Sequence, residues 1–555
     1  MKPSSQSVPA REQGWENLLF VAMLALFALG SVVWLTGQLA ALATSRSWPD
    51  VSFSQMGRVV MRLADHIDDP AKAWPRPERK LLPGPVPIYL IFVLLMIGAS
   101  ALGLSLRRLV ISISNPAGGS SWASIGDLRP LIVKRPIAGR LALGRVGRNL
   151  IAAEERQSVI VLGPTQSMKT SGFAIPAILE WQGPVLATSV KTDLLRNTID
   201  ARSSLGEAFV YDPTGCADVP SHGWSPLAFC NDWSGAQKTV SWLTEATTAR
   251  TTGFGDSDFW YAAAAKLLQP VFLAASMSDR SMSDVVRWVN LQEEAEILQI
   301  LKDAGEELAL DAARASFKRE VRQKSSVYTT AETVLAAYED PVVASSAANC
   351  EITPSALLSG GRNTLYVVAP SHEQKRLRPL FETLIHSIIS HAFERASSEG
   401  GSLKEPLLVV LDEAANIAPL RDLDTLASTA SSHGIQLVSV FQDMAQITTR
   451  YQERAQTVVN NHRAKIVLSG ISDTQTLEYA SRLLGDEEVM HSSVTRGSQG
   501  TRSTTESMAT RSVAPANVLR SIRPGEGILV YGHLPPTRLR LRPWFKEKLL
   551  RTRAA

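Results

Sequence analysis

Cysteine is nearly missing: Cys216, Cys230 and Cys350 are the only three in 555 residues, and no two of them form a C-x-x-C pair. That excludes a disulfide framework and a cysteine-based zinc site, and the three read as reduced packing residues. His386 and His391 share a predicted helix but not the i, i+4 spacing of a helical metal pair, so they read as structural. An excess of either charge is missing as well. With 57 basic and 53 acidic residues the formal net charge is only +4, so any contact with nucleic acid or lipid has to come from local clusters. The most visible absence is charge near the N-terminus, where none occurs from Asn17 to Ser45 and again none from Leu81 to Leu106.

What is present is a motif that organises the remainder. Val159 to Leu162 is a short apolar run that breaks at Gly163-Pro164 and continues through Thr165, Gln166, Ser167, Met168, Lys169 and Thr170 into a helical pattern. Strand, loop and helix in that order make a phosphate-binding loop. Its backbone N–H groups wrap phosphates, Lys169 reaches the terminal ones, and the Thr170 hydroxyl sits on Mg²⁺. Met168 departs from the pattern, which wants a second glycine there. The plain alternative is a strand-to-helix turn with an accidental lysine. A second motif answers it. Leu407 to Leu411 is apolar and ends in Asp412-Glu413, two carboxylates at the end of a strand where open α/β sheets bind ligands. Asp412 would hold the metal and Glu413 would polarise the water that attacks the γ-phosphate, whereas a bare helix cap at Asp412 would need no lysine loop upstream. Gln442 ends the neighbouring apolar run and is placed to position water there. ATP and Mg²⁺ are the expected ligands.

The charge-free runs are then membrane spans. Leu18 to Leu42 exceeds the ~20 residues that cross a bilayer, and residues 84–106 supply a second span, giving a hairpin over residues 1–108. A cleavable signal peptide does not fit, because the apolar region is too long and Glu12 and Glu16 flank it. The connecting loop is rich in arginine and lysine, against the positive-inside tendency. The nucleotide loop decides the orientation: ATP is cytoplasmic, so the bulk after Arg108 and the N-terminus face the cytoplasm. The protein is then multi-pass in the cell membrane. Val51 to Ile67 carries an apolar stripe at Val51, Phe53, Met56, Val59, Val60 and Leu63, suited to an amphipathic helix on the outer surface.

Beyond the membrane, Asn115 to Ser121 has linker composition, within a stretch 109–157 that leads into the motor domain. Buried parallel strands are expected at 158–162, 184–189, 208–211, 364–369, 406–411, 435–441, 464–469 and 527–531, separated mostly by helical patterns. This predicts an α/β doubly wound sheet, divided between residues 158–233 and 351–537, with an all-helical insertion at 234–350. His491 to Ser512 lacks apolar periodicity and reads as a mobile loop. Residues 538–555 read as a basic tail interleaved with Trp544 and Phe545, open to nucleic acid phosphates, to anionic lipid, or to plain solvation.

Together with the two spans, the Lys-Thr loop and the helical insertion, the segments Leu411 to Leu420, Gly434 to Asp443 and Asn460 to Lys465 resemble the conjugative type IV secretion coupling proteins. The likeness is to their TraG/TraD-like branch, of the kind found on actinobacterial conjugative elements. It covers nearly the whole chain, with the hairpin and residues 46–80 alike only in layout. The resemblance implies a RecA-like ATPase assembled as a homohexameric ring at the membrane. Such a ring takes relaxase-bound or single-stranded DNA from the relaxosome and passes it to a type IV secretion channel. It implies that the helical insertion recognises substrate and that Lys191 lies near the nucleotide or a neighbouring subunit. Rings of this kind need a cationic group supplied across the subunit interface; Arg463 in the Asn-Asn-His-Arg segment is the choice, with Arg362 and Arg482 as competitors. An FtsK-like chromosome translocase shares the motor but has more spans, a long linker and a winged-helix end, none of which is found here. A nucleotide-binding membrane receptor with little hydrolysis is the third reading, suggested by Met168.

Overall fold

The computed structural model describes residues 12–114, 122–248, 256–496 and 502–554, so the expected linker at Asn115 to Ser121 lies outside the described residues. The chain forms two compact units, Met1–Gly119 with Glu488–Thr510, and Ser120–Glu487 with Arg511–Ala555.

In the first unit two helices, Glu12–Ser45 and Pro85–Ser114, are long and apolar enough to cross a membrane. Among the described residues several apolar ones on these helices are exposed, Phe27 64% and Ile97 62%. The segment between them folds back on the first helix. Its central helix, Met56–Leu63, was read as lying on the outer surface, but Met56, Val59 and Val51 are buried against Val33 and Trp74. The apolar stripe is therefore used inside the protein. Trp74 presses so close to the first helix that a Cβ at Gly37 would lie 2.6 Å from its indole nitrogen, so only glycine fits. The Trp34 indole N–H donates to the Val51 carbonyl (2.9 Å) and the Ser45 hydroxyl to the Leu81 carbonyl (2.8 Å), tying the segment down at both ends.

The second unit is built on a twelve-stranded sheet. Its strands in chain order are β1 (Ile132–Val133), β2 (Ala142–Val146), β3 (Asn149–Ala152), β4 (Val159–Leu162), β5 (Val185–Ser189), β6 (Ala208–Tyr211), β7 (Thr364–Val368), β8 (Leu407–Leu411), β9 (Ile435–Phe441) and β10 (Ala464–Leu468). A separate two-stranded pair, β11 (Asp486–Arg496) and β12 (Arg502–Ser512), precedes β13 (Glu526–Tyr531) and β14 (Thr537–Arg540). The spatial order is β1-β3-β2-β14-β13-β10-β4-β9-β8-β5-β7-β6. From β10 to β6 every pair is parallel; from β10 towards β1 every pair is antiparallel.

Four sequence expectations are corrected by this layout. The run 527–531 was read as parallel, yet β13 runs antiparallel to β10, pairing Gly527 with Leu468 and Tyr531 with Ala464. An apolar run marks burial on both faces but carries no direction. Residues 109–157, read as linker and entry, contain three strands of the sheet. The basic tail is not a tail: β14 lies inside the sheet, Leu539, Leu541 and Leu550 are buried, and Lys548–Ala554 is a helix. Finally, of the expected mobile loop at His491 to Ser512, residues 491–496 and 502–512 are strand, in the β11–β12 pair, while 497–501 lie outside the described residues. The pair's Thr and Val residues favour extended backbone without needing an apolar face. The packing reading of the cysteines holds for buried Cys230 but not for Cys216, which is exposed.

Each parallel strand is buried on both faces, and alternate residues feed separate cores. Ile160 and Leu162 join one core; Val159 and Val161 join the other. All described elements between β6 and β7 are helical, among them Trp233–Thr247, Asp256–Met277 and Val321–Leu335, and their apolar faces continue the first core without a break. The opposite edge is tied by Arg202, fully buried, which donates to the carbonyls of Trp181, Gly183 and Arg362 and to the Thr364 hydroxyl (2.6–2.8 Å). It thereby satisfies backbone groups at the start of β5 and β7 that would otherwise be buried without partners.

Candidate nucleotide-binding site

The C-terminal ends of β4, β9 and β8 lie side by side, with β9 between the other two. Three loops therefore emerge at one place: the one after Leu162, Gln442 after Phe441, and Asp412-Glu413 after Leu411. The first loop is anchored where it leaves the sheet, because the Gly163 N–H donates to the Phe441 carbonyl (3.0 Å). A Cβ on Gly163 would lie 2.5 Å from the Ser167 hydroxyl, so the tight turn requires glycine. Gln166 and Met168 both have φ +66°, left-handed backbone that costs a side-chain-bearing residue about 1–2 kcal/mol.

Met168 shows how that strain is accommodated. Its Sδ lies 3.3 Å from where a Cβ of Gly525 would be, and its own Cβ 3.5 Å from where one of Gly172 would be. The thioether is thus turned onto two glycines and the second core, which it packs against. After Lys169 the chain winds one π-helical turn, Thr170–Ala174, before the helix Ile175–Glu180. π turns of this sort recur at functional sites. The C-terminal segment braces the turn: the N–H of Trp544 donates to the Ser171 carbonyl (3.0 Å) and that of Arg542 to the Gly172 carbonyl (3.2 Å).

The charged groups converge as the sequence motifs require. The Thr170 hydroxyl donates to Asp412 Oδ2 at 2.9 Å. Lys169, nearly buried, places Nζ 3.8 Å from Glu413 Oε1. Glu413 has φ +58°, and its Oε2 accepts a hydrogen bond from the Asn416 amide (3.0 Å). Burial pushes the Asp412 carboxyl up to about 6; the Thr170 hydrogen bond and the Lys169 charge oppose that shift, while Glu413 and Asp193 add to it. Asp412 Oδ1 and Lys169 Nζ are buried without a hydrogen-bond partner. A buried acceptor of raised pKa beside a hydroxyl is what a hard cation with oxygen ligands would satisfy, so Thr170 and Asp412 fit magnesium.

Gln442 stands half-buried at the end of β9, its N–H donating to the Gln446 side chain (3.0 Å). Arg463 is not brought to this place. It precedes β10 at the opposite edge of the sheet, a strand length of about 13 Å from the nucleotide end. There its Nε bonds Glu154 at 3.0 Å and its guanidinium lies over the Tyr531 ring at 5.4 Å. Arg362 precedes β7 at that same far edge, whereas Arg482 lies on the helix after β10 and among the described residues pairs with Glu478 (3.5 Å). Lys191 is exposed just after β5. Two residues escaped the sequence reading: Asn416, which holds Glu413, and Asp193, which bears on Asp412. Asn416 stands three residues after Glu413, a spacing that a turn converts to contact; Asp193 carries no such signal.

A mixed sheet with β9 inserted between the lysine-loop strand and the acidic strand defines a RecA-like α/β fold. The chain belongs to the family described as Type IV secretory system Conjugative DNA transfer, which residues 127–555 match. It is 24% identical over 371 residues to the conjugal transfer protein TraG of Escherichia coli, covering 62% of this chain and 57% of that protein. To the protein VirD4 of Agrobacterium fabrum it is 22% identical over 474 residues, covering 80% and 69%. The match thus spans little more than half the length of that TraG. Among solved structures, the bacterial conjugative coupling protein TrwB lacking its first 70 residues, in complex with sulphate, superposes with a TM-score of 0.59 at 16% identity, covering 76% of this chain and 94% of that one. TrwB in complex with ADP and Mg²⁺ gives 0.58 at 17% identity, covering 77% and 94%.

Proposed function

We propose that this protein is a membrane-anchored, ATP-driven coupling protein that delivers DNA to a type IV secretion channel during conjugation. The observation that carries the reading is the convergence of Lys169, Thr170, Asp412 and Glu413 at the ends of two strands separated by β9. Family membership and the nucleotide complexes of TrwB support it. Backbone N–H groups within residues 165–170 cradle the phosphates, and Lys169 is drawn from Glu413 to the terminal ones. Thr170 and Asp412 would hold magnesium, which would supply positive charge to the phosphates. Glu413, fixed by Asn416, accepts a proton from the attacking water. The water oxygen bonds to the γ-phosphorus as the bond to the β–γ bridging oxygen breaks, releasing ADP and phosphate. Gln442 orients that water from the neighbouring strand end.

The two apolar helices anchor the protein in the cell membrane with the sheet on the cytoplasmic side. A ring of six copies receives DNA with its relaxase, and the charge across the interface comes from a neighbour's arginine. Arg463, which bonds Glu154 and lies over Tyr531, remains the choice for that, with Arg482, exposed and paired with Glu478, and Arg362 as competitors. The receptor reading loses its motive, since the Met168 side chain is turned away onto Gly525 and Gly172.

The test is a pair of variants in purified full-length protein and in mating assays. Lys169→Ala should abolish nucleotide binding and transfer, while Glu413→Gln should retain binding and lose hydrolysis, because an amide cannot accept the proton. Transfer at wild-type frequency with both variants would overturn the motor reading.

A further inference from the structure

A cleft in the sheet unit, lined by neither Lys169 nor Asp412, has an unusual lining. It holds about 600 Å³ and is bordered by Trp122, Arg145, Arg523, Arg538 and Arg540, with Glu526 as its one carboxylate. Strand register explains why the arginines gather. Arg538 and Arg540 are two apart on β14 and so point to one face, their Cα atoms about 6.8 Å apart. Arg540 stands directly opposite Arg145 of β2. Like charges placed opposite one another destabilise a sheet; on its other side Arg540 faces Glu526 of β13, which can answer one charge of the four.

The charges are also incompletely answered. Arg145 bonds Glu547 at 2.8 Å. Arg538 lies over the Trp122 indole at 5.3 Å, and Trp122 is held there because the next residue's N–H donates to the Pro536 carbonyl (2.8 Å). Arg523 and Arg540, both exposed, make no ion pair among the described residues. Val518, Ile522 and Ile528 supply an apolar side to the cleft.

We infer that this cleft is a binding site for single-stranded nucleic acid, which rests on the proposed transfer function only for the strand being DNA. The chemistry that fits is a row of phosphates beside a flat ring. The arginines on β14 and β2 form a ladder spaced like successive phosphates of an extended strand, and an indole already paired with a guanidinium gives a base a surface to stack on. An acidic protein segment would use the charges but not the indole and its apolar flank. The site also touches the nucleotide loop, since the turn carrying Arg523 continues to Gly525 beside Met168. Strand occupancy and phosphate-loop geometry are thereby linked through one contact.

The experiment measures fluorescence anisotropy of labelled oligo(dT) with full-length protein in detergent across a range of salt. Arg523→Gln/Arg540→Gln should bind about tenfold more weakly at 0.15 M salt, and the slope of log K against log[salt] should flatten by about 1.4, from about 0.7 per lost phosphate contact. Trp122→Ala should weaken binding roughly tenfold with no change of slope. The equally charged control Lys302→Gln/Arg322→Gln, on exposed helical surface, should match wild type. DNA-independent ATP hydrolysis should be unchanged in all of them, which also shows that they fold. Unchanged affinity and slope in the double variant would overturn the inference. So would a loss confined to an oligoglutamate peptide, which would make the cleft a site for an acidic protein. Absence of ATP hydrolysis in wild type would instead count against the motor reading and leave the strand-binding result standing by itself.

Discussion

Arg542 offers a test of why the C-terminal segment is folded at all. Its side chain is 3% exposed and donates to both oxygens of Glu180 (2.8 and 2.7 Å) and to Glu547 (3.1 and 2.7 Å). Glu180 ends the helix that follows the phosphate loop and is itself only 6% exposed. Removing the guanidinium by Arg542→Ala leaves that carboxylate buried without a counter-ion, a loss of about 3–5 kcal/mol. Replacing both partners, Arg542→Met with Glu180→Met, removes the desolvation cost along with the attraction and should recover most of the loss. Glu547 keeps Arg145 in the double variant, so it adds no second orphan. Urea midpoints of wild type, single and double variants measure the effect. Nucleotide affinity should fall with the single variant, because the backbone of Arg542 and Trp544 holds the turn after Thr170. A single variant within about 1 kcal/mol of wild type would refute the clamp. A double variant as unstable as the single would refute the desolvation reasoning.

The same cluster gives a pH dependence. Burial pushes Glu547 up, but hydrogen bonds from Arg542 and Arg145 and their charges outweigh it and bring the carboxyl down from its ordinary 4.5 to about 2. A depressed folded pKa contributes stability that is complete above the ordinary value and is lost as pH falls from 4.5 towards 2; melting temperature should drop more steeply across that window in wild type than in Glu547→Gln. Met168→Gly should relieve left-handed strain of about 1 kcal/mol while giving up half-buried packing on Gly525, leaving stability nearly unchanged and hydrolysis equal or faster; loss of nucleotide binding in an equilibrium titration would refute the described loop. For topology, a cysteine near Asp68 should be labelled from outside intact cells and one near Ser397 should not, and the reverse pattern would reject the hairpin.

Much of the chemistry was legible locally. Gly163, Lys169, Thr170, Asp412 and Glu413 each follow an apolar run, and a strand that ends in a charged or glycine residue presents it at the sheet edge whatever the neighbours are. The two charge-free runs and the helical stretch from Trp233 onward were equally plain, because they depend on composition and period over many residues. Strand direction was not. β13 is as apolar as a parallel strand, and only its entry from the nucleotide edge makes it antiparallel. The arginines of the last eighteen residues read as one basic tail, yet Arg542 is buried on Glu180 while Arg540 lines an open cleft two residues earlier. What separates them is that β14 ends at Arg540, and the chain beyond it packs on the helix after the phosphate loop, where Glu180 takes Arg542. Arg463 precedes β10 in sequence, and only the fold sets it at that strand's far end, bonded to Glu154 and over the Tyr531 ring. A sequence determines which chemistries sit at the ends of elements; which end meets which, and which charge is buried, depends on contacts between residues hundreds apart.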